Sequence, residues 1–282
     1  MLTVYPDQVS VPVLHQYLQA SVAPRPIALA STVSINGEVN LSPFSFFNLF
    51  GTKPPTLIFS PNRRVRDGST KHTLKNALEV PEVVINMVHY DMVEQISLAS
   101  CEYAKGVDEF LKSGLTPVRS EKVRPPRVQE SQASFECIVK DVIQMGQEGG
   151  AANLIICEIV AAHFAEAILD ANRQIDQTKT DWVARLGGDW YVRADKTALF
   201  EVPKPNTKLG IGMDQIPAFI RQHPLLNAND LARLGNIEAL PSDSEVAEFV
   251  ANTSNPVNFE EARQLLNQKK VKEAWLILLS LQ

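Results

Sequence analysis

The sequence lacks the short motifs of the commonest nucleotide-binding and hydrolytic sites. There is no G-x-x-x-x-G-K-[ST], no G-x-G-x-x-G, no H-E-x-x-H and no G-x-S-x-G. These absences argue against a P-loop NTPase, a Rossmann dehydrogenase, a zinc protease and an α/β-hydrolase. Cysteine is scarce: Cys101, Cys137 and Cys157 stand too far apart for a zinc knuckle or a redox pair. The histidines (His15, His72, His89, His163 and His223) form no pair at helical ligand spacing, so no metal site is expected. His89, beside the strand-like VVINMV, reads as a structural histidine. Positive charge is not in excess: 27 Lys plus Arg against 32 Asp plus Glu leave −5, which gives little to gain from neutralising nucleic-acid phosphates. No apolar run approaches the roughly 18 residues of a membrane span. The start, MLTVYPDQVS, carries an acid and a proline where a secretory signal needs a basic and then an apolar stretch. The expectation is a cytoplasmic protein with neither membrane nor nucleic acid as partner.

What is present is ordinary globular composition, 45% hydrophobic and 21% charged over 282 residues, enough for a sizeable core. That length suits one large domain, or a domain with an appendage. The pattern changes near residue 204. Before it, short apolar runs rich in β-formers recur between turn signals: RPIALASTVS, EVNLS after the Asn36-Gly37 turn dipeptide, TLIFSP, EVVINMV, SFECIVKDVIQMG and LIICEIVAAHF. Short helices fit around VPVLHQYL, from Thr70 to Glu79 and from Asp91 to Ala99. The pattern predicts a mainly β fold with helical insertions over residues 1–204, of β-barrel type. A helical extension over 205–282 follows, with DQIPAFIRQ, NANDLARLG, SDSEVAEFVANT and one last helix from Asn258 to the apolar WLILLSL. Ser242 and Asn258 are candidate N-caps. An end that is apolar almost all round is expected to be buried against the barrel or a partner chain. Cys137 and Cys157 lie in strand-like runs and are expected in the core.

Three segments could carry chemistry. In SPNRRVRDGSTKHTLKNALEV, Ser60 ends a strand, and Arg63, Arg64, Arg66, Lys71 and His72 surround a turn and a helix start, with Ser69 or Thr70 as cap. Bases and hydroxyls (Ser69, Thr70, Thr73) around a helix amino end can cradle phosphate; a solvated basic loop is the other reading. In NLSPFSFFNLF, four of the 12 phenylalanines alternate with Ser42, Ser45 and Asn48. This is either a core strand or a bed for a flat aromatic ligand. In RLGGDWYVR, Gly187-Gly188 allows a tight turn or a close approach to a ligand.

PRPIALAST, NLSPFSFFN, the basic turn with TKHT, VVINMV, EGGAANLIICEIV and RLGGDWY follow one another in an order that resembles the flavin reductase-like family. This is the family of FMN-binding split-barrel proteins that includes flavoredoxin. The resemblance covers roughly residues 1–204 and stops before the helical tail. It implies a split β-barrel homodimer with FMN near the subunit interface. It places Ser31 and Thr32 near the flavin, and Phe44, Ser45, Phe46, Phe47 and Asn48 along the isoalloxazine ring. Ser60, Arg63, Thr70, Lys71, His72 and Thr73 fall on the phosphate side, and Arg185, Gly188 and Tyr191 on a loop approaching the flavin or nicotinamide. His72 stands where relatives often carry an acid.

The resemblance further implies hydride transfer from NADH or NADPH to flavin N5, with the chemistry on the flavin, so that no catalytic side chain is expected. The alternative it leaves is an FMN-holding electron carrier reduced by a redox protein partner, with the helical tail as an interaction module.

Overall fold

The computed structural model describes residues 1–203, 209–253 and 257–282. Two compact units divide at Phe200/Glu201. The sequence boundary at 204/205 lies outside the described residues.

The first unit runs α1 (Val11–Ser21), β1 (Arg25–Pro26), β2 (Ala28–Val33), β3 (Val39–Phe44), β4 (Phe47–Thr52), β5 (Pro55–Phe59), α2 (His72–Glu79) and β6 (Glu82–Met87). A 3-10 turn (Tyr90–Met92) leads into α3 (Val93–Leu98), α4 (Glu109–Ser113), β7 (Pro117–Val118), β8 (Arg127–Val128), β9 (Ala133–Gln144), β10 (Asn153–Phe164), β11 (Trp182–Arg185) and β12 (Tyr191–Ala194). Seven strands form an antiparallel sheet in the order β3-β2-β6-β9-β10-β5-β4, and β1-β11-β12 form a smaller one. With its helical insertions this is the split β-barrel architecture. Every residue of β2 is buried because both of its faces are covered. Ala28 and Ala30 point to a core with Phe44, Phe59, Leu74, Cys137 and Cys157. Leu29 points to a second core with Leu41, Met92, Phe110 and Val183. Burial pushes the Cys157 thiol up to about 12 and the Cys137 thiol up as well, so both act as small apolar side chains.

Two segments depart from expectation. NLSPFSFFNLF is not one core strand: β3 ends at Phe44, Ser45 and Phe46 turn the corner, and β4 starts at Phe47. β4 is an edge strand that leaves Leu49 and Phe50 exposed. The cause is its position, since an edge strand lacks one neighbour to cover it. The basic-turn helix begins at His72 rather than Thr70, with Lys71 as its N-cap residue and no side-chain cap.

The second unit holds α5 (Ala218–Arg221), α6 (Ala228–Gly235), α7 (Asp243–Asn252), α8 (Phe259–Asn267) and α9 (Val271–Ser280). Ser242 closes a capping box with Glu245, and the Asn258 side chain accepts from Glu261 N–H. The expected single last helix is two helices, because Lys269 takes a left-handed φ of 64° between them. Folded back, α9 buries Trp275, Ile277 and Leu278 with Ile220, Leu234 and Leu266 of the same unit. Trp275 Nε1–H donates to Leu234 O at 3.0 Å. The apolar end is therefore used within the helical unit's own core.

Candidate functional site

The basic loop after β5 is held by the tip of the β9–β10 hairpin. Ser60 N–H donates to Phe46 O at 2.9 Å, and Ser60 Oγ donates to Asn62 Oδ1 at 2.7 Å and accepts from Asn153 N–H at 3.0 Å. Asn153 Nδ2 donates to Pro61 O at 2.9 Å. Arg63 N–H donates to Ala151 O at 2.9 Å, and Gly150 N–H returns a bond to Arg63 O at 3.0 Å. Gly149 lies so close that a Cβ there would sit 2.6 Å from Val65 O. The EGG turn is thus glycine-rich because two backbones touch there.

Within this loop the three arginines have partners of their own. Arg63 donates to Gly68 O at 3.0 Å and Gln147 Oε1 at 2.6 Å. Arg64 donates to Glu102 Oε1 at 2.9 Å, Ser69 Oγ at 3.1 Å and Thr70 O at 2.9 Å. Arg66, mostly exposed, pairs with Asp67 and Glu102, each at 3.2 Å. Ser69, a candidate cap, instead donates to Asp67 Oδ1 at 2.5 Å, and Thr70 is exposed. The first-turn N–H groups of α2 are therefore left uncapped.

Lys71 stands at that helix start. Its ammonium lies 5.2 Å from the Phe44 ring and makes no ion pair or hydrogen bond among the described residues. Burial lowers its pKa, the nearby Arg64 lowers it further, and Glu102 only partly opposes them. The His72 imidazole is held below its ordinary value by burial and then by Arg64, Lys105 and Lys75. Thr73 is buried and accepts from Asn40 Nδ2 at 3.0 Å; Thr32 Oγ1 accepts from Asn76 Nδ2 at 3.1 Å. Thr32, Asn40, Thr73 and Asn76 form one buried polar cluster beneath α2. Ser31 is not part of it: adjacent strand residues point to opposite faces, and its buried hydroxyl has no partner among the described residues.

The corner after β3 sorts the rings. Phe44 is buried 5.5 Å from Phe59, and Phe47 packs on the same core. Phe46 points out, edge-on to His15 at 6.2 Å and 5.9 Å from the Arg25 guanidinium. Ser45 is half-buried, and the exposed Asn48 accepts from Leu49 N–H at 2.8 Å. The β11–β12 turn arrives from the other side. Gly188 has φ +57° there, and Arg185 donates to Gly188 O at 2.6 Å while lying 4.4 Å over Tyr191.

Arg25 joins these parts, although sequence reasoning did not single it out. It donates to Gln19 O at 2.5 Å and Val22 O at 2.7 Å at the end of α1, and to Leu186 O at 2.8 Å in the turn. Burial, and then Arg185, lower its pKa. Its only sequence signal was its place in the PRPIALAST motif. The arrangement brings together an unpaired cation at an uncapped helix start, an aromatic corner and a glycine turn with a guanidinium. These suit, in order, a phosphate, a flat ring and the polar edge of a ligand.

The chain matches the model of the flavin reductase like domain over residues 20–179. An uncharacterized protein of Aquifex aeolicus is 36% identical over 181 residues, covering 64% of this chain and 90% of that protein. An uncharacterized protein of Halalkalibacterium halodurans is 35% identical, covering 71% and 95%. Among solved structures, nitrilotriacetate monooxygenase component B from Bacillus cereus superposes with a TM-score of 0.65 at 28% identity, covering 72% of this chain and 98% of its own. On the domain match, which spans more than half of its length, the chain belongs to the flavin reductase-like family.

Proposed function

We propose that this chain binds FMN and works as an NAD(P)H-dependent flavin oxidoreductase. Lys71 carries the reading. It is a desolvated cation without an anion of its own among the described residues, beside uncapped N–H groups of α2, and a single terminal phosphate supplies the missing partner. The other cations of the loop are already engaged, so the site suits a monophosphate. Phe46 and the adjoining backbone offer an outward-facing surface for the ring, and Arg25 holds the 185–191 turn beside it. FMN bound there supplies a two-electron redox centre, and the chain's residues bind, orient and shield it. Self-association fits the exposed Leu49 and Phe50 on edge strand β4 and an α1 with no buried residue.

An FMN-holding electron carrier is the second reading. It is favoured by a helical unit that has its own core and lies beyond the matched residues, as an interaction module would. Anaerobic stopped-flow reduction separates the two: reduction by NADH or NADPH supports the enzyme, and reduction only by a reduced redox protein supports the carrier.

A further inference from the structure

One face of the β1–β11–β12 sheet, the one that carries Arg185 and Tyr191, borders a cleft. Directly paired residues of antiparallel strands share a face. Arg25 pairs with Arg185 and Arg185 with Tyr191, so these three make a row across the sheet, with Val183 and Arg193 in the row beside it. The segment that covers this face is tied down at one end, where His89 bridges to Trp182 and Tyr90 N–H donates to Asp181 O at 3.0 Å. From there Tyr90, Val93, Glu94 and Ser97 fall at the spacing of one helical face and form the opposite wall. The space between is an open cleft of about 470 Å³, the size of a small-molecule site.

Its walls carry two guanidinium–phenol stacks. The Arg193 guanidinium lies 3.8 Å from the Tyr90 ring across the two walls, and Arg185 lies 4.4 Å from Tyr191. Arg193 is already neutralised by Asp181, at 2.7 and 2.6 Å. Arg185 gives one nitrogen to Gly188 O and forms no ion pair among the described residues. Glu94 and Asp189 also line the cleft. Both acids are exposed and screened by solvent, so their repulsion, which grows with ligand charge, disfavours a polyphosphate far more than a monoanion held directly on Arg185, while planar stacks favour an aromatic ring. A guanidinium edge with free N–H groups favours one carboxylate.

We propose that the cleft between α3 and the β11–β12 hairpin binds a planar aromatic monoanion, its ring against the Arg–Tyr pairs and its carboxylate on Arg185. The row from Arg25 to Tyr191 leads from the Phe46 ring to this cleft, which puts the ligand next to the proposed flavin position. That adjacency rests on the flavin reading; the site itself does not.

The test is calorimetric titration of the full-length, FMN-saturated protein with 2-naphthoate, cyclohexanecarboxylate and ADP-ribose. The expected result is one 2-naphthoate per chain, with cyclohexanecarboxylate at least tenfold weaker. Arg185→Gln and Tyr90→Leu should each weaken 2-naphthoate at least tenfold, and Tyr90→Leu decides alone if the first variant does not fold. No saturable uptake of 2-naphthoate, unchanged affinity in the variants, or tighter binding of ADP-ribose overturns the proposal. FMN affinity is read separately from flavin fluorescence. A chain that takes 2-naphthoate but no FMN removes the flavin reading and keeps this site; the reverse removes this site alone.

Discussion

At the scale of single residues, Lys71 and Thr73 adjoin in sequence but do different work. Among the described residues Lys71 has no charge partner, whereas Thr73 is buried and holds Asn40. Lys71→Ala should therefore weaken FMN binding by about tenfold or more, since a hydrogen bond to a charged group is worth about 1.5–3 kcal/mol. Thr73→Ala should instead lower Tm, because it strands a buried amide donor at a cost of about 1–3 kcal/mol. Flavin-fluorescence titration and thermal melts of the two variants separate these effects. Lys71 must stay protonated to hold phosphate, and burial has lowered its pKa. FMN affinity should then fall with rising pH earlier than an ordinary lysine, near 10.4, would dictate. Lys71→Arg should remove that fall, because guanidinium stays charged; titrations from pH 7 to 10 read it.

Glu109 gives a second pH test. It is buried, its Oε2 accepts from Leu41 N–H, and burial raises its pKa. A carboxyl raised in the folded state favours folding below its unfolded pKa of about 4.3 and loses that contribution as pH rises through the folded value. Glu109→Gln should therefore raise Tm at pH 7–8 and leave it nearly unchanged at pH 4. Neither role was legible in sequence. Lys71 looked like one base among five, and only the partners of Arg63, Arg64 and Arg66 set it apart. Glu109 did not stand out at all, because a helix of five residues has too little pattern to show which face is inside.

At the scale of elements, the hairpin tip and the basic loop act as one piece, and Gly149 is where they touch. Gly149→Ala places a methyl group against Val65 O; it should lower Tm and weaken FMN together, whereas Lys71→Ala affects FMN alone. Separation of the two effects in Gly149→Ala would refute the coupling. The strands themselves were readable because their apolar runs are long and bounded by turn signals, as in LIICEIVAAHF for β10. The corner at Ser45–Phe46 was not, since the nearby Pro43 lies within β3 rather than at the corner and the run of phenylalanines hides the change of direction. The break at Lys269 was hidden for the same reason: helix-forming residues flank it, and only tertiary packing of α9 on α8 makes the turn worth its left-handed φ. Ser242 and Asn258 were readable as caps because capping chemistry is local.

At the scale of the whole molecule, each unit has its own apolar core and the family match ends at residue 179. A chain ending at Phe200 should fold and bind FMN within about twofold of the full chain, since a unit with its own core can fold alone. The change of pattern near residue 204 was legible because β periodicity gives way to helical periodicity there; the destination of the apolar WLILLSL was not, because burial in a unit's own core and burial against another surface leave the same signature. The central claim is that the Lys71–Phe46 region holds a flavin that a nicotinamide can reduce. The most direct measurement is the visible spectrum of the FMN-loaded protein, recorded without oxygen before and after NADH or NADPH. The account predicts bound-flavin bands that bleach on addition of one of the two; a chain that takes up no FMN contradicts it.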